Sequence, residues 1–525
     1  MLPSPYPSDA PESSAYRGIT NESYGVFAEI QSAYYNRAMK KLSVPAEVAK
    51  ITATLAKAGF EAYLVGGCVR DSIIGIAPKD WDVTTNATPE EIQGLFPETF
   101  YENIFGTVGI VTESLDPTLK VIEATPYRVE GEYTDARRPD SVTWGTSIEE
   151  DLERRDFTIN AIAYDPIHEM YIDPHGGIDD IERKSIRTVG SAHDRFGEDA
   201  LRMMRAVRLG AQLDFIIDAE TAQGISAQAA QLRKISRERV RDELVRTIMT
   251  ERPMQALYMA QKMGLMPFII PELEEGIGCA QNQAHSFDVF EHLLRSLQCA
   301  ADKGWPLHIR LAALLHDVGK PASRKWSDEK KDWTFHGHEV IGARMAKRIL
   351  KDLRFPKETE DIVVSLIRWH MFFSDPDQVS LSAVRRIITN VGPEHIWDLI
   401  NVRICDRIGT GRPKEQPFRL RKYEAMIEEA LRDPISVGML KIDGGRIMEV
   451  SKIPPGPRIG WVLHALLEEV LDDPGLNTAE YLENHALELL TRSDEELKKL
   501  GEQGKDRRDE EDEAAIHELH KKHHV

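Results

Sequence analysis

Two glycines behind a short apolar run, followed by a spaced pair of acids, constrain this chain more than any other feature. The segment reads Leu64-Val65-Gly66-Gly67-Cys68-Val69-Arg70-Asp71, then Lys79-Asp80-Trp81-Asp82. Ala62–Val65 reads as a buried strand, and a helix is expected to begin near Val69. Gly66 and Gly67 have no side chains, so the backbone there can approach a phosphate. The helix start adds amide donors and a positive dipole end. Residues two apart on a strand share a face, so Asp80 and Asp82 can converge on one or two hard cations. Magnesium suits that arrangement, because it takes oxygens from one or two carboxylates and from substrate phosphates. Glu123, in Val121-Ile122-Glu123-Ala124, is the expected third acid. A GG pair or a D-x-D alone is more often structural. The order strand, GG, helix, acid pair, strand, acid is far more specific.

A chain of 525 residues exceeds what one core supports and should divide into domains. The expected class is α+β: a mixed α/β region over 43–190, then helical regions over 191–275, 276–425 and 426–492. Residues 1–42 form a Pro- and Ser-rich extension that reads as partly disordered, and 493–525 a charged tail. Thr88-Pro89-Glu90-Glu91 reads as a helix start with a capping box. The net charge of −20 counts against a generally basic nucleic-acid binder. Charge is local, however: Arg183 to Arg252 holds 14 Lys and Arg against 10 Asp and Glu, compatible with RNA binding or with a solvated helix face. The four cysteines are scattered without a CxxC pair, which suits a reducing cytoplasm. No signal peptide or membrane-spanning run is read, so no membrane partner is expected.

The first motif resembles the signature of the tRNA nucleotidyltransferase and bacterial poly(A) polymerase family, class II members of the polymerase-β-like nucleotidyltransferases. Further blocks agree in order: Arg154-Arg155-Asp156-Phe157-Thr158-Ile159-Asn160-Ala161, then Glu198-Asp199-x-x-Arg202-x-x-Arg205-Ala206-x-Arg208, then Ser236-Arg237-Glu238-Arg239 with Glu243. The resemblance implies a nucleotidyltransferase head over 43–190 and a helical RNA-binding neck over 191–275. It implies that Asp80 and Asp82, with Glu123, hold catalytic Mg2+. Gly66, Gly67, Arg70, Asp71, Arg155, Asp156 and Asn160 would shape the nucleotide pocket. The expected partners are tRNA, CTP and ATP.

In this family the ED-x-x-R block chooses C or A without a template. Asp199 and Arg202 are three apart, so both are expected on one side of a helix, with Arg205 and Arg208 continuing the block. Aspartate accepts from the exocyclic amine that C and A carry, and arginine donates to ring acceptors. In isolation the same residues read as a surface ion pair between Glu198 or Asp199 and Arg202. Leu209 stands where the family often has Phe, a change expected to affect packing alone. The stretch from Glu130 to Pro139 resembles the mobile loop of enzymes that add the full CCA end, leaving CCA and A-only addition both open.

A second motif is the apolar helix Leu311–Leu315 ending in His316-Asp317-Val318-Gly319-Lys320-Pro321. It resembles the HD phosphohydrolase superfamily. That resemblance implies an all-α HD domain over 276–425, with His292, His316, Asp317, His338, His370 and Asp406 as ligands. Imidazole with carboxylate suits a divalent transition metal or Mg2+, and phosphoester hydrolysis on RNA ends or nucleotides follows from the resemblance. His285 and His336 read as ordinary core histidines, since His292 and His338 are better placed. Three rival functions stand beside the leading one: poly(A) addition, an HD hydrolase with a vestigial head, and an RNA-binding protein with both metal sites dead. The oligomeric state stays open.

Overall fold

The computed structural model describes residues 41–101, 106–130, 142–145, 147–282, 285–372, 379–412 and 414–501. The expected loop after Glu130, the N-terminal extension before residue 41 and the tail beyond residue 501 lie outside them. The chain forms two compact units, one through Arg183 and the other from Lys184 onward.

The first unit begins with α1 (Ala46–Lys57), which packs onto β1 (Ala62–Val65). After β1 come α2 (Gly67–Ile74), β2 (Asp82–Thr85), α3 (Pro89–Leu95), β3 (Thr99–Tyr101), β4 (Val108–Val111) and β5 (Val121–Pro126). β6 (Arg128–Glu130) and β7 (Val142–Trp144) make a separate ribbon, and β8 (Ala163–Asp165) and β9 (Met170–Ile172) return to the main sheet. The sheet order is β3-β4-β5-β2-β1-β8-β9. β2 and β5 run parallel, with Asp82 opposite Glu123. A parallel pair needs a crossover, and the connection through α3 and the β3–β4 hairpin supplies it. α3 starts where its capping box predicts. Thr88 Oγ1 accepts from the Glu91 N–H, and Glu91 Oε2 accepts from the Thr88 N–H at 2.8 Å. Leu64, Val83 and Ile122 fill the interior from three adjacent strands.

The second unit is mainly helical, with two small β additions: the parallel pair β10 (Ser185–Ile186) and β11 (Ile216–Ile217), and the hairpin β12 (Lys325–Ser327) and β13 (Asp332–Thr334). Its helices include α4 (Ala192–Glu198), α5 (Leu201–Leu213), α6 (Arg237–Ile248), α7 (Val289–Asp302), α8 (Leu307–Leu315), α9 (His338–Asp352), α10 (Lys357–Trp369) and α11 (Ile396–Gly409). α8 is buried from Ile309 to Leu315. The run Leu311–Leu315 is apolar on every face and must sit inside, and α7, α10 and α11 pack around the helix. No described helix is long and apolar enough to cross a membrane.

Candidate active sites

The turn after β1 is built on backbone that only glycine adopts cheaply. Gly66 has φ of +80°, and a Cβ there would meet Arg155 Nη1 at 3.2 Å and Asp82 Oδ2 at 3.6 Å. The glycine therefore brings an arginine and a carboxylate against the bare backbone at the start of α2. The helix begins at Gly67, two residues before the expected Val69. Asp82 opens β2, and Asp80 lies exposed just before the strand. Burial pushes the Asp82 carboxyl up to about 7, reinforced by Glu123 and Asp80 and opposed by Arg155. A buried carboxylate whose ionisation two neighbouring acids disfavour is a site that gains when a cation arrives.

Arg155 is aimed by Asp151, a fully buried carboxylate that the sequence reading did not single out. Asp151 Oδ2 accepts from Arg155 Nη2 at 3.0 Å, while Oδ1 accepts from Arg154 at 2.7 Å. Burial alone would raise the Asp151 pKa, but Arg155 and Arg154 hold it below the usual value. Arg70, Asp71, Asp156 and Asn160 form one chain of contacts. Arg70 donates to Asn160 Oδ1 (2.6 Å) and to Asp71 Oδ1 (2.8 Å), and Asn160 Nδ2 donates to Asp156 Oδ1 (3.1 Å).

The ED-x-x-R block departs from the expected geometry. Asp199 does not share a helix with Arg202: α4 ends at Glu198, and Asp199 has extended backbone with φ −145° and ψ 104°. Its Oδ1 accepts from the Leu201 N–H at 3.1 Å, and its carboxylate takes both terminal nitrogens of Arg239, at 3.2 and 2.7 Å. Arg202, in the first turn of α5, pairs with Glu198. Arg208 pairs with the buried Glu243 at 2.5 Å and ties α5 to α6, while Asp199–Arg239 ties the segment just before α5 to the same helix; Arg205 lies partly buried between them in sequence. Arg239 was legible only as part of a matching block, not as the partner of Asp199.

The HD residues all meet in the second unit. His292, His316, Asp317, His338, His370 and Asp406 are each less than a tenth exposed. His292 Nε2 lies 3.0 Å from His316 Nε2, 3.0 Å from Asp317 Oδ2 and 3.5 Å from Asp406 Oδ1. His316, His338 and His370 each donate through Nδ1 to a carbonyl three residues back, those of Ala313 (2.9 Å), Phe335 (2.6 Å) and Ile367 (2.6 Å). A carbonyl only accepts, so each neutral ring keeps its Nε2 lone pair for the centre. His338 Nε2 and His370 Nε2 face Asp317 Oδ1 at 3.2 and 3.5 Å without making a hydrogen bond. Buried lone pairs facing a carboxylate oxygen fit a cation between them.

Opposite charges inside the cluster offset one another. Burial would depress the His316 pKa, yet Asp317 and Asp406 raise it to about 9. Burial would raise Asp317, yet Lys320 and His316 hold it well below the usual carboxylate range. Lys320 Nζ sits 2.5 Å from Asp317 Oδ2 and donates to Gln281 Oε1 at 2.7 Å. His285 corrects the sequence reading. Its ring is not an ordinary core histidine but joins His292, Asp317 and Asp406 in one ligand-sized cluster. Its Nδ1 donates to Asn282 Oδ1 at 2.7 Å, and burial, with Lys320 adding, pushes its pKa down to about 4. A cavity of about 480 Å³ opens beside the cluster, lined by Asp317, Lys320, Phe335, Arg403, Asp406 and Arg412 among others.

Gly319 holds this motif close to α9. A Cβ there would lie 2.4 Å from the His338 carbonyl oxygen and 2.6 Å from the Gly342 nitrogen, both backbone. Gly319→Ala is therefore expected to cost about 1–3 kcal/mol, read as a lowered thermal unfolding midpoint. An unchanged midpoint would contradict this packing.

Comparison with known proteins gives the same two parts. Residues 62–187 match the poly A polymerase head domain, 214–277 the probable RNA and SrmB-binding site of polymerase A, and 289–408 the HD domain. The CCA-adding enzyme of Geobacillus thermodenitrificans is 33% identical over 430 residues, covering 80% of this chain and 91% of its own. That of Leuconostoc mesenteroides subsp. mesenteroides is 32% identical over 461 residues, covering 86% and 98%. Among solved structures, the Bacillus stearothermophilus CCA-adding enzyme in complex with CTP shares the fold with a TM-score of 0.63 at 27% identity, over 85% of this chain and 98% of that one. With relatives aligned over almost their entire length on a head that gathers the three acids, the chain belongs to the family of CCA-adding enzymes.

Proposed function

We propose that this chain adds C and A nucleotides to the 3′ end of tRNA, using CTP and ATP and two divalent cations held by Asp80, Asp82 and Glu123. The observation that carries this reading is the β2–β5 register. It sets Asp82 beside Glu123, with Asp82 and Arg155 both packed against the positive-φ glycine turn. The reaction joins an RNA 3′ oxygen to the α-phosphorus of CTP or ATP and releases pyrophosphate. Mg2+ bound there supplies charge for the triphosphate and the departing pyrophosphate and lowers the pKa of the attacking hydroxyl. The chain's own part is positioning. Asp151 keeps the Arg155 fork pointed at the glycine turn, and guanidinium meets phosphate oxygens two at a time. Gly66 and Gly67 leave room for phosphate against backbone amides. Arg70, Asp71, Asp156 and Asn160, already locked to one another, form a prearranged polar wall for the ribose and phosphates.

Base choice falls to Asp199 and Arg202. Both are engaged, Asp199 with Arg239 and Arg202 with Glu198. Reading a base therefore means exchanging those partners for the base edge, and Arg239 and Glu198 become the residues that hold the readers when no base is present. Arg202→Ala is expected to erode discrimination of C and A against U and G by about 10- to 100-fold, the worth of one good bidentate contact. Misincorporation of UTP and GTP measures it. Equal slowing with all four nucleotides would remove Arg202 from base choice.

The HD cluster supports a second activity, cation-dependent hydrolysis of phosphoesters on RNA ends or nucleotides. Its ligands would be His292, His316, Asp317, His338, His370 and Asp406. A divalent metal bound there activates water against phosphorus. The surrounding Lys320, Arg403 and Arg412 place positive charge around the cavity for a phosphate substrate. We place both activities in the cytoplasm, in keeping with four buried, unbridged cysteines.

The direct test supplies tRNA ending before C, after C and after CC, with CTP and ATP given separately. The expected products are two C additions followed by one A. Long A tracts would favour poly(A) addition, and extension of only the CC-ended tRNA would favour A-only addition.

A further inference from the structure

α8 and α11 carry a second histidine and carboxylate set, one helix length from the HD centre. His308 lies in the first turn of α8 and His316 caps its end. Asp398 lies in the first turn of α11 and Asp406 near its end. Each pair is eight residues apart, about 12 Å along a helix at 1.5 Å per residue. The same two helices thus bring imidazole and carboxylate together at both ends.

The geometry at the first turns is closely drawn. His308 Nε2 and His395 Nδ1 each lie 2.9 Å from Asp398 Oδ2. The two rings meet edge-on with centroids 5.9 Å apart, similar to the 5.0 Å between His292 and His316. One ligand atom from each of His308, His395 and Asp398 falls within 4.8 Å of the others. All three side chains are between a fifth and a quarter exposed, so an ion can reach them from solvent.

We infer that His308, His395 and Asp398 form a separate site for one divalent transition-metal ion of the zinc class, tying the start of α8 to the start of α11. Two imidazoles and one carboxylate are a donor set for Zn2+, Ni2+, Co2+ or Cu2+, and a poor one for Mg2+ or Ca2+, which favour oxygen. Three protein ligands leave a position for water. The alternative is a hydrogen-bonded His–Asp–His trio in which both rings donate N–H to the carboxylate. It uses the same atoms and binds no metal. Because α8 and α11 also carry His316 and Asp406, an ion at their near ends would stiffen the frame that holds the HD ligands. It would stabilise the folded unit by mass action.

The experiment uses the full chain, stripped with a chelator, loaded with Zn2+, desalted and assayed for bound zinc. His308→Gln and His395→Gln should each hold one equivalent less than the unmodified chain, while Asp317→Asn keeps that equivalent. His517, His520, His523 and His524 in the tail are common to all these proteins, so the difference isolates the site. Retained nucleotide addition confirms that the glutamine variants fold. Co2+ gives an independent signature: visible d–d absorption present in Asp317→Asn should disappear in Asp317→Asn/His308→Gln. Equal zinc content in both glutamine variants and the unmodified chain, or cobalt absorption that survives the double change, would overturn the site in favour of the hydrogen-bonded trio.

Discussion

Asp82→Asn is expected to lower nucleotide addition by about a thousandfold or more while leaving the fold intact. A metal-bound charge contributes several kcal/mol to a phosphoryl-transfer transition state, and each 1.4 kcal/mol is a factor of ten. The amide keeps the shape of the side chain but offers one weaker oxygen. Its effect on stability has the opposite sign to its effect on rate. Burial, Glu123 and Asp80 already disfavour the Asp82 carboxylate in the cation-free protein, so a neutral amide relieves repulsion. The thermal midpoint should hold or rise as incorporation of CTP disappears, and hydrolysis by the HD unit should be unaffected. Activity within tenfold of the unmodified chain would remove Asp82 from the chemistry.

Asp317→Asn is expected to do the converse in both respects. Asp317 touches Lys320, His292, His316, His338 and His370 within 3.5 Å. Its charge is the counterweight to a buried lysine, and removing one partner of a buried pair costs about 3–5 kcal/mol. Metal-dependent phosphoester hydrolysis should fall below detection and the unfolding midpoint of this unit should drop, while tRNA extension persists. Should the variant not fold, Asp406→Asn asks the same question from α11, where Arg403 already offsets the charge. Loss of tRNA extension in a folded Asp317→Asn protein would show that the two activities are not independent.

The head was legible where chemistry is written locally. A buried apolar run, a diglycine turn and a D-x-D fall within about twenty residues, and the capping box at Thr88 is a spacing rule that the structure obeys. The HD set was legible because a family order carried it: its ligands come from separate helices, and no local period links His292 to Asp406. What escaped depended on partners distant in sequence or on breaks without punctuation. The chain leaves the helix at Asp199 although Gly197 still lies inside it, so helical spacing wrongly put Asp199 and Arg202 on one face. Arg239 reaches Asp199 across 40 residues. His285 looked redundant beside His292, because only the fold shows that both reach one cluster. Asp151 did have a signal, since it precedes Arg154 and Arg155 by the three and four residues that join neighbours on a helix. The β12–β13 hairpin has three-residue strands, too short for a period to register; its Trp326–Trp333 pair becomes meaningful only when the strands align.

Crystals of the full chain grown with CTP and Mn2+ address the carboxylate couple without relying on turnover. Anomalous scattering should place a manganese peak within bonding distance of both Asp80 and Asp82, with the triphosphate on the Gly66–Gly67 turn. Nucleotide bound elsewhere, or density on that turn with no anomalous peak between the two acids, would contradict cation-assisted nucleotidyl transfer at this site.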